Sequence, residues 1–239
     1  MEKRWVGGSQ EARSPAPTTV LSVPPSIIGP MAMPNIVTAE EWQRERDELL
    51  TEEKQATRTL DALAARRRRL PMVKVDKEYV FDTPSGKQTL VDLFDGRQQL
   101  VVYQFMDLGP DSYCPGCTGF THNVPPAALP LLAESGVTWV TVSNMPLAQI
   151  EAYKAEQGWT LPFVSSHGTS FADDCGAGAG FLLSVFLRDG DDVYRTYSTT
   201  ARGVDRLVFV HSILDLTPYG RQEDWEDSPP GWPQHPTYG

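Results

Sequence analysis

Cysteine is scarce in this chain, with three in 239 residues, and histidine is nearly as scarce, with four. A body of this length buries enough apolar surface to fold without staples, so so few cysteines are not a disulfide framework. Positive charge is also short: 21 Lys and Arg against 31 Asp and Glu leave a net charge of -10. Affinity for nucleic acid comes largely from cations that displace counterions, so DNA and RNA are not expected partners. Long apolar runs are missing as well. No stretch of about 18 apolar residues is present to span a bilayer, and MEKRWVGGSQEARSPAPTTVLSVPPSIIGP holds no signal-peptide core. These gaps predict a soluble, cytoplasmic protein with no membrane partner, in a compartment that keeps thiols reduced.

What is there is an ordinary globular composition, 40% hydrophobic and 22% charged. Residues 1–34 are rich in proline and poor in large apolar groups, which predicts a flexible tail; a later start at Met31 or Met33 is left open. Thr38 and Glu41 form a capping box for a long amphipathic helix over about 39–69, whose Arg66 to Arg69 suit the negative end of its dipole better than a phosphate site. Thr83-Pro84-Ser85-Gly86 predicts a hairpin, and LVVYQFM (Leu100 to Met106) and VTWVTVS (Val137 to Ser143) predict buried strands. A short helix is expected to end near Asn123 and another to start at Pro126. PLAQIEAYKAEQG predicts a helix closed by Gly158, LPFVSS a short extended piece, and FLLSVFLRDGDDVYRTYST a hairpin turning at Asp189-Gly190. VDRLVFVHSILDL predicts a last helix, and residues 221–239, rich in Pro and Trp, a tail over the body. Strands and helices alternating in this way make an α/β layer architecture, a central sheet covered by helices.

DSYCPGCTGF follows the first buried strand, and functional groups in such sheets gather beyond strand carboxyl ends. If a helix starts at Pro115, the Cys114 sulfur faces unpaired N–H groups and the positive end of the dipole, conditions that favour a thiolate. Cys117 then lies one turn in, so Cys114 attacks and Cys117 resolves. Pro115 suits the first helical turn, and Gly116 lets a partner's backbone approach. Zinc uses the same spacing but wants four ligands, and Cys175, His122, His167 and His211 offer no second paired spacing. Two inert buried thiols are the third alternative. Cys175, flanked by acids, reads as a bystander or as a third redox partner if folded close to Cys114. Arg202, between a strand and the last helix, reads as a structural ion pair or as a guanidinium that reaches the thiolate or a substrate carboxylate.

Taken together, RRRLPMVKVDKEYVFDTPSGKQTLVDLFDGRQQLVVYQFM, the CPGC of Cys114 to Cys117, VSNMPLAQIEAYKAEQGWTLPFVSS, FLRDGDDVYRTYSTTARG and LDLTPYGR resemble the bacterial domain-of-unknown-function family 899, over about residues 35–225. The resemblance implies a thioredoxin-like domain over 71–220, of the peroxiredoxin branch, with a central mixed sheet flanked by helices and a long N-terminal helix over 35–70. It implies a dithiol-disulfide oxidoreductase, with Cys114 and Cys117 as the dithiol; no cofactor is expected. Its partners would be a disulfide-containing protein or a small thiol or disulfide, and an electron donor that the sequence does not name. One departure stands out: thioredoxin-like folds carry a cis-proline beside the pair, before the strand that here reads LLSVFL, and no proline lies between Pro162 and Pro218. A thiol peroxidase is the alternative enzyme, with Tyr113, Thr118 and Arg202 as candidates for the hydroxyl and arginine beside the thiolate. A non-catalytic metal-binding or assembly module is the other, and the long helix suggests a homodimer.

Overall fold

The computed structural model describes residues 33–236. The Pro-rich segment 1–32, with Met31 and the expected flexible tail, lies outside them. The elements in chain order are α1 (Ala39–Arg67), β1 (Val73–Lys74), β2 (Val80–Thr83), β3 (Gly86–Thr89), β4 (Gln99–Phe105), α2 (Pro115–His122), α3 (Leu129–Glu134), β5 (Val137–Ser143), α4 (Leu147–Gln157), β6 (Phe163–Ser165), α5 (Phe171–Cys175), β7 (Leu182–Asp189), β8 (Asp192–Thr199) and α6 (Phe209–Leu214).

The capping box forms as expected: Thr38 Oγ1 accepts the Glu41 N–H at 3.2 Å and Glu41 Oε2 accepts the Thr38 N–H at 3.0 Å. α1 stops at Arg67, two residues early, because Pro71 disfavours helical backbone in the residue before it. None of its residues is buried, and the Arg67 guanidinium lies 5.4 Å from the centre of the Tyr197 ring on β8.

Eight strands form one mixed sheet in the order β1-β8-β7-β4-β5-β6-β2-β3. β4, β5 and β6 run parallel, and β7 and β8 form the expected hairpin, with β7 antiparallel to β4. Successive side chains of a strand point to opposite faces, and β4 shows what this does. Leu100 and Val102 pack on one face with Val140, Val142, Phe171 and Phe186. Tyr103 and Phe105 pack on the other with Cys117, Phe120, Ile150, Tyr153 and Val204.

Two local expectations change. The last helix is two pieces, a 3-10 segment Ala201–Leu207 and then α6, separated by Val208 in an extended conformation. Asn123 Oδ1 accepts the Val210 N–H at 3.0 Å, so a side chain from the end of α2 satisfies a donor that starts the second piece. α5 was not expected. It holds Phe171 edge-on to both Tyr79 and Phe81, and Asp174 beside Tyr79, Lys77 and Ser170.

Candidate active site

β4 ends at Phe105, at the carboxyl ends of the parallel strands, and the loop that follows folds back on itself through a bridge between Asp107 and Tyr113. The Gly109 N–H bonds to Asp107 Oδ1 at 2.9 Å, and Gln149 of α4 donates to the Gly109 carbonyl at 3.0 Å. The loop therefore hands Cys114 to the start of α2 in a fixed place. Cys114 is the N-cap: its Sγ accepts the Cys117 N–H at 3.3 Å, and Pro115 takes the first helical position, as expected.

The two sulfurs sit in unlike surroundings. Cys114 is half-buried, whereas Cys117 is 1% exposed and packs with Tyr103, Phe105 and Phe120. Burial pushes the Cys117 thiol up to about 12; hydrogen bonds from the Met106 backbone and the Tyr103 side chain pull the other way, and the neighbouring Cys114 sulfur adds to the rise. All three cysteines are free thiols.

Tyr153 of α4, which the sequence did not single out, supports the turn at both ends. Its ring stacks on Tyr113, with centroids 3.5 Å apart and planes 1° from parallel, and its hydroxyl lies 2.8 Å from Thr118 Oγ1. Thr118 Oγ1 donates to the Cys114 carbonyl at 2.9 Å, so its one proton is committed and the Tyr153 hydroxyl is the donor in their pair. Burial, first of several causes, raises the Tyr153 phenol, which keeps it protonated and able to donate. Its place on α4, four residues after Gln149, was visible in the sequence, but nothing there says that α4 faces the cysteines.

The other expected residues go elsewhere. Arg202 bonds to Asp205 at 3.3 Å and lies 3.5 Å over the Trp225 ring, and no contact among the described residues joins it to either cysteine. Asp205 also receives Arg221, which pairs with Asp215 at 2.7 Å, so this cluster ties the C-terminal segment to the 3-10 segment. Cys175 packs on the other face of the sheet, and burial pushes its thiol up to about 11. His122 Nδ1 accepts the Trp159 indole N–H at 3.1 Å, which places the ring proton on Nε2, facing Gln157 Oε1 at 3.0 Å. His167 Nδ1 lies 2.9 Å from the Asn144 carbonyl. Among the described residues no three His, Cys, Asp or Glu side chains are grouped to hold a metal ion, and no helix is long and apolar enough to cross a membrane.

Before β7 the segment that enters the site is Gly180-Phe181. Phe181 packs against the same core as Cys114, 6.1 Å from the Tyr103 ring, and its carbonyl accepts the Thr200 hydroxyl at 2.7 Å.

A parallel β4–β5 pair whose crossover begins with a Cys-Pro-Gly-Cys helix, flanked on the other side by the antiparallel β7–β8 hairpin, defines a thioredoxin-like protein. The chain belongs to the family described as "Bacterial protein of unknown function (DUF899)", whose model matches residues 31–238. Nothing among curated proteins matches it. Similar solved structures include Peroxidoxin BcpB from Mycobacterium tuberculosis, 17% identical over 58% of this chain and 94% of that one, with a TM-score of 0.40. A putative thiol:disulfide interchange protein DsbE from Chlorobium tepidum is 10% identical over 59% and 97%, with a TM-score of 0.43. A putative protein disulfide isomerase from Bacteroides thetaiotaomicron is 16% identical over 62% and 92%, with a TM-score of 0.40.

Proposed function

We propose that the protein is a cytoplasmic thiol-disulfide oxidoreductase in which Cys114 attacks and Cys117 resolves. The observation that carries this reading is the unequal pair: a half-buried sulfur capping a helix N-terminus, and a second sulfur one turn in, buried and held as a thiol. The Cys114 thiolate attacks one sulfur of a substrate disulfide and expels the other as a thiol, after protonation by solvent, which leaves a mixed disulfide. Burial is the main cause that holds the proton on Cys117, and the neighbouring Cys114 sulfur is a smaller one, so bonding of Cys114 to the substrate removes only that smaller part. Cys117 then gives up its proton to the departing substrate sulfur and attacks Cys114, closing the intramolecular disulfide. Two electrons pass from the dithiol to the substrate, and an external dithiol donor restores the pair.

The peroxidase alternative loses support from the geometry of the site, since the Thr118 hydroxyl is committed to the Cys114 carbonyl and the Arg202 guanidinium to Asp205 and Trp225.

Reduction of a small aromatic disulfide, with a dithiol as donor, tests the reading. Cys114→Ser should abolish turnover, and Cys117→Ser should accumulate a mixed disulfide visible by mass spectrometry. Full turnover by Cys114→Ser would sink the assignment, and rapid peroxide consumption without disulfide turnover would favour the peroxidase.

A further inference from the structure

α1 is 29 residues long and has no buried residue, and its Trp42, Leu49, Leu60 and Leu63 are exposed. At 3.6 residues per turn, Trp42, Leu49, Ala56, Leu60 and Leu63 fall within an arc of about 60°. So narrow a stripe is the seam of a coiled coil rather than the broad face of a helix packed on a core. The Arg46–Glu53 ion pair, at 2.8 Å, borders this stripe, and polar groups at a seam fix register. Helices of this kind owe most of their stability to packing of the apolar face, and among the described residues α1 has no buried side chain to supply it.

Charge along α1 says what covers the stripe. Residues 39–54 carry seven acids and three bases, a net of -4; the rest of the helix, residues 55–67, carries three arginines and one aspartate, a net of +2, with Arg68 and Arg69 just beyond its end. The helix dipole suits Glu40 and Glu41 at one end and the arginines from Arg66 at the other, but it does not account for Glu45, Asp47, Glu48, Glu52 and Glu53, so the imbalance left over is an acidic first half facing an arginine-rich end. Laid antiparallel on a second copy, each acidic half meets a basic half and Leu49 lies over Leu60 of the other chain. Laid parallel, like charge meets like.

We propose that α1 is the interface of an antiparallel homodimer, with a second copy of this chain as its occupant. The full-length reduced protein, followed by light scattering across concentration and salt, tests it. The expected mass is twice the 26.5 kDa of one chain, falling toward one chain as salt screens the paired halves. Leu49→Glu with Leu60→Glu should give a monomer that keeps the wild-type rate of Cys114 alkylation. Glu45→Lys with Glu48→Lys and Glu52→Lys should also give a monomer, because both halves are then basic. A dimer that survives the charge reversal overturns the antiparallel pairing. A wild-type chain that stays monomeric overturns the proposal; α1 protected from hydrogen exchange in that monomer would assign the stripe to another segment of the same chain. Loss of dithiol turnover in Cys114→Ser bears on the site alone, so the two readings fail separately.

Discussion

Tyr153 touches the CPGC turn before its first cysteine, through the Tyr113 ring, and after its second, through Thr118. Tyr153→Phe keeps the stack and removes one hydrogen bond, which is worth about 1 kcal/mol of stability. Tyr153→Ala removes both and leaves a cavity under Phe105 and Trp159, a loss of about 3–5 kcal/mol in denaturant unfolding. Because Tyr153 supports the turn through Tyr113 and Thr118, the phenylalanine variant should slow attack by Cys114 a few-fold while leaving the fold intact; stopped-flow formation of the mixed disulfide reads this directly. An alkylating reagent at neutral pH should label Cys114 and spare Cys117, since the buried thiol is held protonated to about 12. Peptide mapping of the alkylated native protein checks it, and equal labelling of both would remove the division of roles.

Among the elements, the segment from the 3-10 turn to the C-terminal strap is held by charge. The Arg221 side chain is 8% exposed and bonds to both Asp205 and Asp215, which together hold the guanidinium firmly charged. Removing Arg221 leaves the partly buried Asp205 without its cation, while Asp215, 45% exposed, is rescued by water, so Arg221→Ala should lower stability and free the segment from Tyr219 onward to proteolysis. Arg221→Lys should restore only part of this, because a lysine cannot bond to both carboxylates with a planar fork. Gly203 offers a second test in the same place: an added Cβ would run into the Thr199 hydroxyl, so Gly203→Ala should lower the melting temperature.

At this scale the sequence was legible where a local pattern decides the element. The capping box at Thr38, the hairpin at Thr83 to Gly86, the β-branched runs of β4 and β5 and the Pro115 helix start are all short-range signals. The two-piece last helix and α5 were not legible, because Asn123 capping Val210 and Phe171 packing on Tyr79 are contacts between residues far apart in the chain. The same division runs through the site. Cys114 and Cys117 announce themselves by spacing, whereas Tyr153 acts from another helix and Arg202 is drawn away by Trp225, which lies beyond the last helix.

For the whole molecule, the buried thiols make alkaline pH the sensitive direction. An unfolded cysteine releases its proton near 9.0, whereas folded Cys117 holds it to about 12 and Cys175 to about 11. Below that lower value both states keep the proton and nothing changes. Above it the unfolded chain binds fewer protons than the folded one, so stability falls as pH rises through this window. Denaturant unfolding of the reduced protein should therefore show a midpoint that declines steadily above pH of about 9. Oxidation of the Cys114–Cys117 pair should flatten part of that decline, leaving the share due to Cys175 and to the buried phenols of Tyr79 and Tyr153.

A redox titration of the native protein in thiol buffers of graded potential, read by mass-tagging each cysteine, tests the central claim most directly. The account predicts one two-electron transition in which Cys114 and Cys117 lose their tags together, near the poise of a reducing cytosol, while Cys175 stays tagged throughout. A chain in which Cys114 and Cys117 never form a disulfide with each other, or in which Cys175 takes the place of Cys117, would contradict it.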